Sequence, residues 1–514
     1  MQVFETVIVL LLIGAALAAA ARRIGAPYPA LLALAGVGIA LMPGTPAVTL
    51  DPELALALFV APVLLDAAFD ASPRDLRANW RPVATLALVT VALTVAAVAL
   101  TARWLVPGIP WAAAIALGAI VAPPDAAAAT AVLRQLRPPH RLLVILEGES
   151  LFNDASALLI YRLAVGATAA GAISGWTIAP TLLLVTAGSI VLGLVLARIT
   201  GWIMPRIQDV ATSVIVQFLG TFGVWIAAER LHLSGILTMV VYAMAVARRA
   251  PETIPARIRI PSYAVWEVAV FLLNALAFIL VGLQLKPIVR QLDRAALLDY
   301  TSIAMAVCAA VILIRVLWVM GSNALRGGAT TAAWRHASVV AWCGMRGTVT
   351  LAAALALPAD FPYRGLILFT AFLVVLVTLV AQGLTLKPLM GRLGLEHDDS
   401  VDREVRLARV ETLRAGAAAL GDKSADTEAT ELLRRKYRAR LELAEARLNG
   451  GASRAELPSG PGRYAAAARA AMAAERSRLT ALRSDGTIGD DAFHRVEEEL
   501  DRAELSADAI DPDD

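Results

Sequence analysis

The sequence predicts an all-α polytopic membrane protein of about thirteen transmembrane helices, followed by a polar helical tail. Three observations predict it. Apolar side chains make up 58% of the chain and charged ones 17%, too apolar for an ordinary soluble domain. The apolar residues fall into windows of roughly bilayer length, and the charged ones segregate into the loops between them and into the last quarter of the chain.

The windows run at about 3–21, 28–43, 53–70, 83–106, 110–133, 142–166, 176–197, 211–229, 233–247, 263–285, 300–320, 337–358 and 364–386, the second, third and ninth being short. In the first, the string ALAAAA resembles a signal-peptide cleavage site. It has no basic stretch before it and is followed by Arg22 and Arg23, which points to a retained helix whose C-terminal end is cytoplasmic. From that orientation the inside loops carry sixteen arginines, among them Arg74, Arg77, Arg81, Arg134, Arg137 and Arg141. The outside loops carry six basic residues, among them Arg103, Arg230 and Lys286. The asymmetry predicts an outside N-terminus, an odd number of spans and a cytoplasmic tail. Thirteen spans permit two six-helix repeats of opposite topology around a central seventh helix. Residues 1–390 hold 26 basic and 17 acidic groups, whereas 391–514 hold 20 and 26, so a transmembrane domain and a cytoplasmic tail divide there. The tail is punctuated at Gly450, Gly451 and PSGPG 458–462. Its charged runs ATELLRRKYRARLELAEARL and AMAAERSRLTALRS read as helices of a regulatory or oligomerisation element. The sequence pI near 9.0 comes from loop arginines, with no basic cluster interleaved with aromatics, so no nucleic-acid partner is expected.

The stretch Val121–Arg162 places five ionisable side chains, Asp125, Glu147, Glu149, Asp154 and Arg162, inside two consecutive apolar windows. Such residues within the bilayer point to function. Pro123 and Pro124, directly before Asp125, deprive the carbonyls near Ala119–Val121 of their helical partners, so this helix is broken. Freed backbone groups at that depth must face protein or a water-filled cavity. In the next span, LEGESLFND sets Glu147, Ser150 and Asp154 on one helix face, with Glu149 and Asn153 on another. Asp125 and Asp154 each lie about halfway along a span of some 20 residues, near the bilayer midplane.

The twelfth window, VVAWCGMRGTVTLAAALALP, is interrupted by Gly344 and Gly347 around Arg346. Interrupted helices at corresponding places in the two halves point to a midplane binding site. Arg315, mid-span in VILIRVLWVM, needs an anion or a carbonyl cluster as partner. Asp66 ends the third window at an interface or an ion pathway, and Glu267 reads as lying at headgroup depth. Cys308 and Cys343 fall in apolar windows, which argues against a disulfide framework.

PPD in one broken helix, EGESLFND in the next, a mid-span arginine and GMRG in a second broken helix resemble the monovalent cation:proton antiporter-1 family, the NhaP-type sodium/proton exchangers, over residues 3–390. The resemblance implies thirteen helices in two inverted repeats, a core bundle moving against a dimerisation domain, a homodimer in the cell membrane, and exchange of Na+ for H+. By the same resemblance Asp154 binds cation and proton, Asp125 is the aspartate of the unwound helix, Ser150 is a hydroxyl ligand and Asn153 helps hold Asp125. Glu149 pairs with Arg315, and Arg346 sits at the second unwound crossing. Asp66 and Glu147 lie on the ion pathway. Pro124 stands where many relatives have a cation-caging threonine, so the resemblance leaves the ligand count and the choice among Na+, Li+ and K+ open.

The residues themselves argue the same chemistry. A hard monovalent cation needs several oxygens, and Asp125, Asp154, Ser150, carbonyls freed at the break and water supply them. No imidazole or thiolate cluster offers a transition-metal site. Burial disfavours a charged aspartate, so proton and cation compete for it. Exchange then needs no ATP and no cofactor, in keeping with the absence of a GxxxxGK[ST] motif. The expected partners are monovalent cations, protons, the lipid bilayer and a second copy of the chain. Rival readings are a K+-preferring antiporter, a cation channel, a membrane sensor whose tail is its output module, and an intramembrane aspartyl protease. The protease would carry GxGD and YD motifs, and neither string occurs.

Overall fold

The computed structural model describes residues 2–448 except 25, 44–51, 134–137, 171–174, 291–293, 326–329, 396, 397, 399 and 420–427, together with 475, 477, 479, 481 and 502. Among the described residues it is all-helical. Two compact units divide it, Met1–Asp398 and Asp399–Asp514.

In the first unit the helices are α1 (Gln2–Ile24), α2 (Tyr28–Leu41), α3 (Pro52–Ala55 continued through a π-helical turn to Ala61–Asp70), the short α4 (Pro73–Ala78) and α5 (Trp80–Leu105). The first broken helix follows as α6 (Trp111–Val121) and α7 (Ala126–Leu133). Next come α8 (His140–Ala170), α9 (Gly175–Ile203), α10 (Val210–Arg230), α11 (Gly235–Thr253), α12 (Ala256–Leu283) and α13 (Arg294–Leu325). The second broken helix is α14 (Thr331–Trp342) with α15 (Thr348–Leu355), and α16 (Arg364–Leu393) closes the unit.

Helices α4, α10, α11 and α14 each begin on a side-chain oxygen that takes an orphan amide of the first turn: Ser72, Asp209, Ser234 and Thr330. Among the described residues seven stretches are long and apolar enough to cross a membrane, lying in α5, α6–α7, α9, α10, α12, α13 and α16. The remaining apolar windows of the sequence fall short of that standard for local reasons. Helix α8 carries Glu147, Glu149, Asp154 and Arg162, the break cuts α14–α15 into short pieces, and α2 is only 14 residues long.

The bundle packs around α8, which rests on α6 and on a π-helical turn at Thr85–Thr90 within α5. The start of α8 is pinned to its neighbours at one end of the unit. The Asp398 carboxylate accepts the His140 amide at 3.0 Å, His140 Nε2 lies 3.2 Å from Asp75, and Arg141 donates to Asn79 at 3.0 Å. Helices α2 and α12 meet backbone to backbone. A Cβ at Gly36 would overlap the Ile279 carbonyl, and one at Gly282 would overlap that of Ala33.

The second unit pairs α17 (Ser400–Ala419) with α18 (Glu428–Leu448). Val410 and Leu413 pack on Ala444, and Arg414 bridges Glu411 and Glu445. Glu475, Ser477, Leu479 and Ala481 are helical, while Gly450, Gly451 and 458–462 lie outside the described residues. Helix α17 is a further helix of the tail, which the sequence reads as helical throughout without singling out this run.

Overpacking a close backbone contact typically costs about 1–3 kcal/mol. Replacing Gly36 or Gly282 with alanine is expected to lower the thermal unfolding midpoint in detergent, since main chain cannot yield as a side chain can. Replacing Gly38, whose Cβ would meet nothing within 4 Å, serves as the neutral control.

Candidate cation site

The two broken helices cross at their interruptions, and a backbone hydrogen bond from Asp125 N–H to the Met345 carbonyl, at 2.7 Å, ties them together. Each break leaves one carbonyl end and one amide end without helical partners. The carbonyl ends are met by arginine. Arg346, 1% exposed, donates from Nε to Val121 O at 3.0 Å and from Nη2 to Ala122 O at 3.2 Å, and also reaches the Gly344 carbonyl, while the Thr378 hydroxyl accepts its amide at 3.0 Å. Arg315, equally buried, donates to Val340 O at 3.0 and 3.2 Å and to Cys343 O at 3.3 Å. Cations therefore stand at the negative ends of α6 and α14.

The amide ends are met by Asp125. Its carboxylate accepts the Ala127 amide of α7 at 2.9 Å and also faces the Thr348 amide that starts α15. It packs so closely on Gly347 that any Cβ there would overlap it, so only glycine fits. Asp125 is thus the anion shared by two positive helix ends.

The structure brings Glu149 and Arg315 together as a fork-to-fork pair, Nη1–Oε1 at 2.5 Å and Nη2–Oε2 at 2.8 Å, with both side chains buried. Glu149 points about 140° around α8 from Asp154, away from the cavity side. Arg346 forms no ion pair among the described residues, and its partners are carbonyls alone.

A cavity of about 1150 Å³ opens onto the crossing and is lined by Asp125, Ser150, Asp154, Pro124, Gly347 and Thr348, with Asp66 and Glu147 further along its wall. Of the residues named from the sequence as the ion site, Asp125, Ser150 and Asp154 line this space, whereas Asn153 is fully buried outside its lining, and Gly344 and Arg346 lie behind it. Ser150 accepts the Ala126 amide at 3.4 Å. Asn153 donates to the Pro124 carbonyl at 3.3 Å, so it holds the break through the backbone rather than through the Asp125 carboxylate, and its own Oδ1 is buried without a partner. Asp154 is 7% exposed and accepts no hydrogen bond among the described residues, and Asp125 is close enough to repel it.

Arg162 lies elsewhere than the sequence reading placed it, and Glu267 faces the cavity. Arg162 is two turns past Asp154 and exposed, paired with Glu229 at 2.9 Å, so it is no part of the buried site. Glu267 lines the cavity, because the cavity brings solvent down the face of α12 that also carries Arg259, Tyr263 and Asn274. Sequence reasoning also passed over Gln217. Its side chain takes the Trp266 indole N–H at 2.7 Å and donates to Ser213 and Ser262, forming a polar patch on the cavity wall. A glutamine and two serines spaced along α10 and α12 were the available signal.

The family model described as "Sodium/hydrogen exchanger, transmembrane" matches residues 8–392. The chain belongs to that family. It is 32% identical over 415 residues to an uncharacterized Na(+)/H(+) exchanger of Mycobacterium tuberculosis, covering 77% of this chain and 76% of the relative. It is 30% identical over 471 residues to a sodium, potassium, lithium and rubidium/H(+) antiporter of Bacillus pumilus, covering 86% and 69%. In fold, this exchanger is similar to the sodium proton antiporter MjNhaP1 of Methanocaldococcus jannaschii, with TM-score 0.61 and 19% identity over 74% of this chain and 99% of that one. It is a multi-pass membrane protein of a cation/proton exchanger family.

Removing one partner of a buried ion pair typically costs about 3–5 kcal/mol, because the other charge is left uncompensated. Arg315→Ala and Glu149→Gln are each expected to lower thermal stability in detergent by an amount in that range. The double variant Glu149→Gln/Arg315→Met should recover part of the loss, which a double-mutant cycle of unfolding midpoints would read.

Proposed function

We propose that this exchanger carries Na+ against H+ by competition at Asp154, with Asp125 and Ser150 completing the ion site. One observation carries the reading: Asp154 is the buried carboxylate of the cavity that accepts no hydrogen bond among the described residues, whereas Asp125 is already held by two helix ends. Two carboxylates that repel each other in a buried space are relieved when a proton or a cation binds. A site that reorients across the membrane only when so occupied exchanges one for the other, driven by the two gradients without any cofactor. Asn153 beside Asp154 leaves one titrating carboxylate at that position, which favours one proton per cation and electroneutral exchange.

The architecture in this reading is thirteen membrane-crossing helices in two inverted repeats, with α6–α7 and α14–α15 as counterpart broken helices near the midplane. The homodimer sits in the cell membrane with the N-terminus outside and the tail inside, where exchange regulates internal pH and sodium. Asp66 and Glu147, on the cavity wall, line the path to the site. A second reading, that K+ or Li+ is carried as well as Na+, has one observation in its favour: the Bacillus pumilus relative is named for sodium, potassium, lithium and rubidium.

The test is a grid of initial rates over pH and Na+, Li+ or K+ concentration in proteoliposomes, with and without an imposed potential. Where Asp154 is mainly protonated, each tenfold rise in proton concentration should raise the apparent cation KM about tenfold, equivalent to about 1.4 kcal/mol in binding. Asp154→Asn should fold and lose exchange. Wild-type exchange in that variant, or a KM independent of pH, contradicts the proposal. Strong acceleration by the potential would contradict electroneutrality and favour an electrogenic exchanger or a channel.

A further inference from the structure

Thr348 opens α15 directly after Gly347 and lines the cavity beside Asp125, Ser150 and Asp154. A threonine hydroxyl in a helix ordinarily donates to the carbonyl three or four residues back. Thr94, Thr130, Thr221 and Thr378 of this chain all do so. At Thr348 that outlet is taken. The Met345 carbonyl, three back, accepts the Asp125 amide at 2.7 Å, and the Gly344 carbonyl, four back, accepts from the Arg346 guanidinium. The Cys343 carbonyl beyond them accepts from Arg315 at 3.3 Å. Among the described residues the Thr348 hydroxyl makes no hydrogen bond, and the residue is only half-buried, at the cavity wall. Its amide faces the Asp125 carboxylate, which fixes the residue beside the site.

The site is short of oxygens. Pro124 has no hydroxyl, and its carbonyl already accepts from Asn153 at 3.3 Å. One oxygen of Asp125 is engaged by Ala127 at 2.9 Å, and Ser150 by Ala126 at 3.4 Å. A hard cation that has shed part of its water needs several oxygen ligands, whereas a proton on Asp154 needs only the carboxylate.

We infer that the Thr348 hydroxyl oxygen is a cation ligand of this site and a determinant of its cation affinity, so that both broken helices hold the ion. The inference rests on the exchange reading given above, and it separates the two ligands of that exchange: Thr348 recognises the cation and leaves the proton alone.

The experiment compares Thr348→Val, which keeps the shape and removes the oxygen, with Thr348→Ser, which keeps the oxygen, and with Asp154→Asn. In proteoliposomes the KM for Na+, Li+ and K+ is measured across a pH series. Thr348→Val is expected to raise the cation KM about tenfold, equivalent to about 1.4 kcal/mol, and to leave the pH at which KM begins to climb where it is in the wild type. Thr348→Ser should stay much closer to the wild type. A wild-type KM for every cation in Thr348→Val, with Asp154→Asn inactive, overturns the inference alone. A shift of the pH dependence together with KM also overturns it, because that marks general damage around Asp154. Wild-type exchange in Asp154→Asn overturns the underlying reading instead. If Thr348→Val does not yield folded protein, Thr348→Ala gives the same readout, and a wild-type KM there is equally fatal.

Discussion

The structure depends on how the charges left at two helix breaks are neutralised. Each break exposes a carbonyl end and an amide end inside an apolar bundle, where an unsatisfied backbone group costs several kcal/mol. Arg346 and Arg315 stand at the carbonyl ends of α6 and α14, and Asp125 stands at the amide ends of α7 and α15. Everything close to the crossing follows from this arrangement. Gly347 must lack a side chain because Asp125 fills its space, and Glu149 is buried beside Arg315 as its partner.

The same arrangement divides the labour between the two aspartates. Asp125 is occupied in holding the crossing, so its charge is part of the scaffold. Asp154, on an unbroken helix, has no hydrogen-bond donor among the described residues and shares the cavity with Asp125. A carboxylate in that position can be satisfied by something that arrives from solvent. On the exchange proposed above, the arriving species are the two ions exchanged. Among the described residues the Arg346 guanidinium has only carbonyls as partners, so the crossing keeps a positive charge behind an anionic site.

The breaks themselves are legible in the sequence, because proline chemistry and glycine pairs act locally: PPD and GMRG mark both without reference to the rest of the chain. The faces of α8 are legible for the same reason, since helical spacing puts Ser150 and Asp154 on one side and Glu149 on another. What is not legible is contact over long separations. That Arg346 reaches Val121 and Ala122, or that Asn153 holds the Pro124 carbonyl instead of the Asp125 carboxylate, depends on how α14–α15 lies across α6–α7. That Glu267 faces the cavity is equally invisible to hydropathy, which measures position along the chain and cannot see a cavity in the bundle. Arg162 was grouped with the buried charges because its window is apolar, although two turns of helix carry it to the exposed pair with Glu229. Thr348 escaped notice because a threonine hydroxyl is usually spent on its own helix. Its freedom appears only once the carbonyls behind it are seen to be occupied.

The central claim is that cation and proton are alternative occupants of Asp154. Proton release on adding Na+ to the purified protein in weakly buffered detergent solution tests it most directly, since no transport step intervenes. The account predicts that, where Asp154 is protonated in the absence of Na+, binding expels about one proton per cation and that Asp154→Asn abolishes the release. Na+ binding with no proton released, or release undiminished in Asp154→Asn, would contradict it.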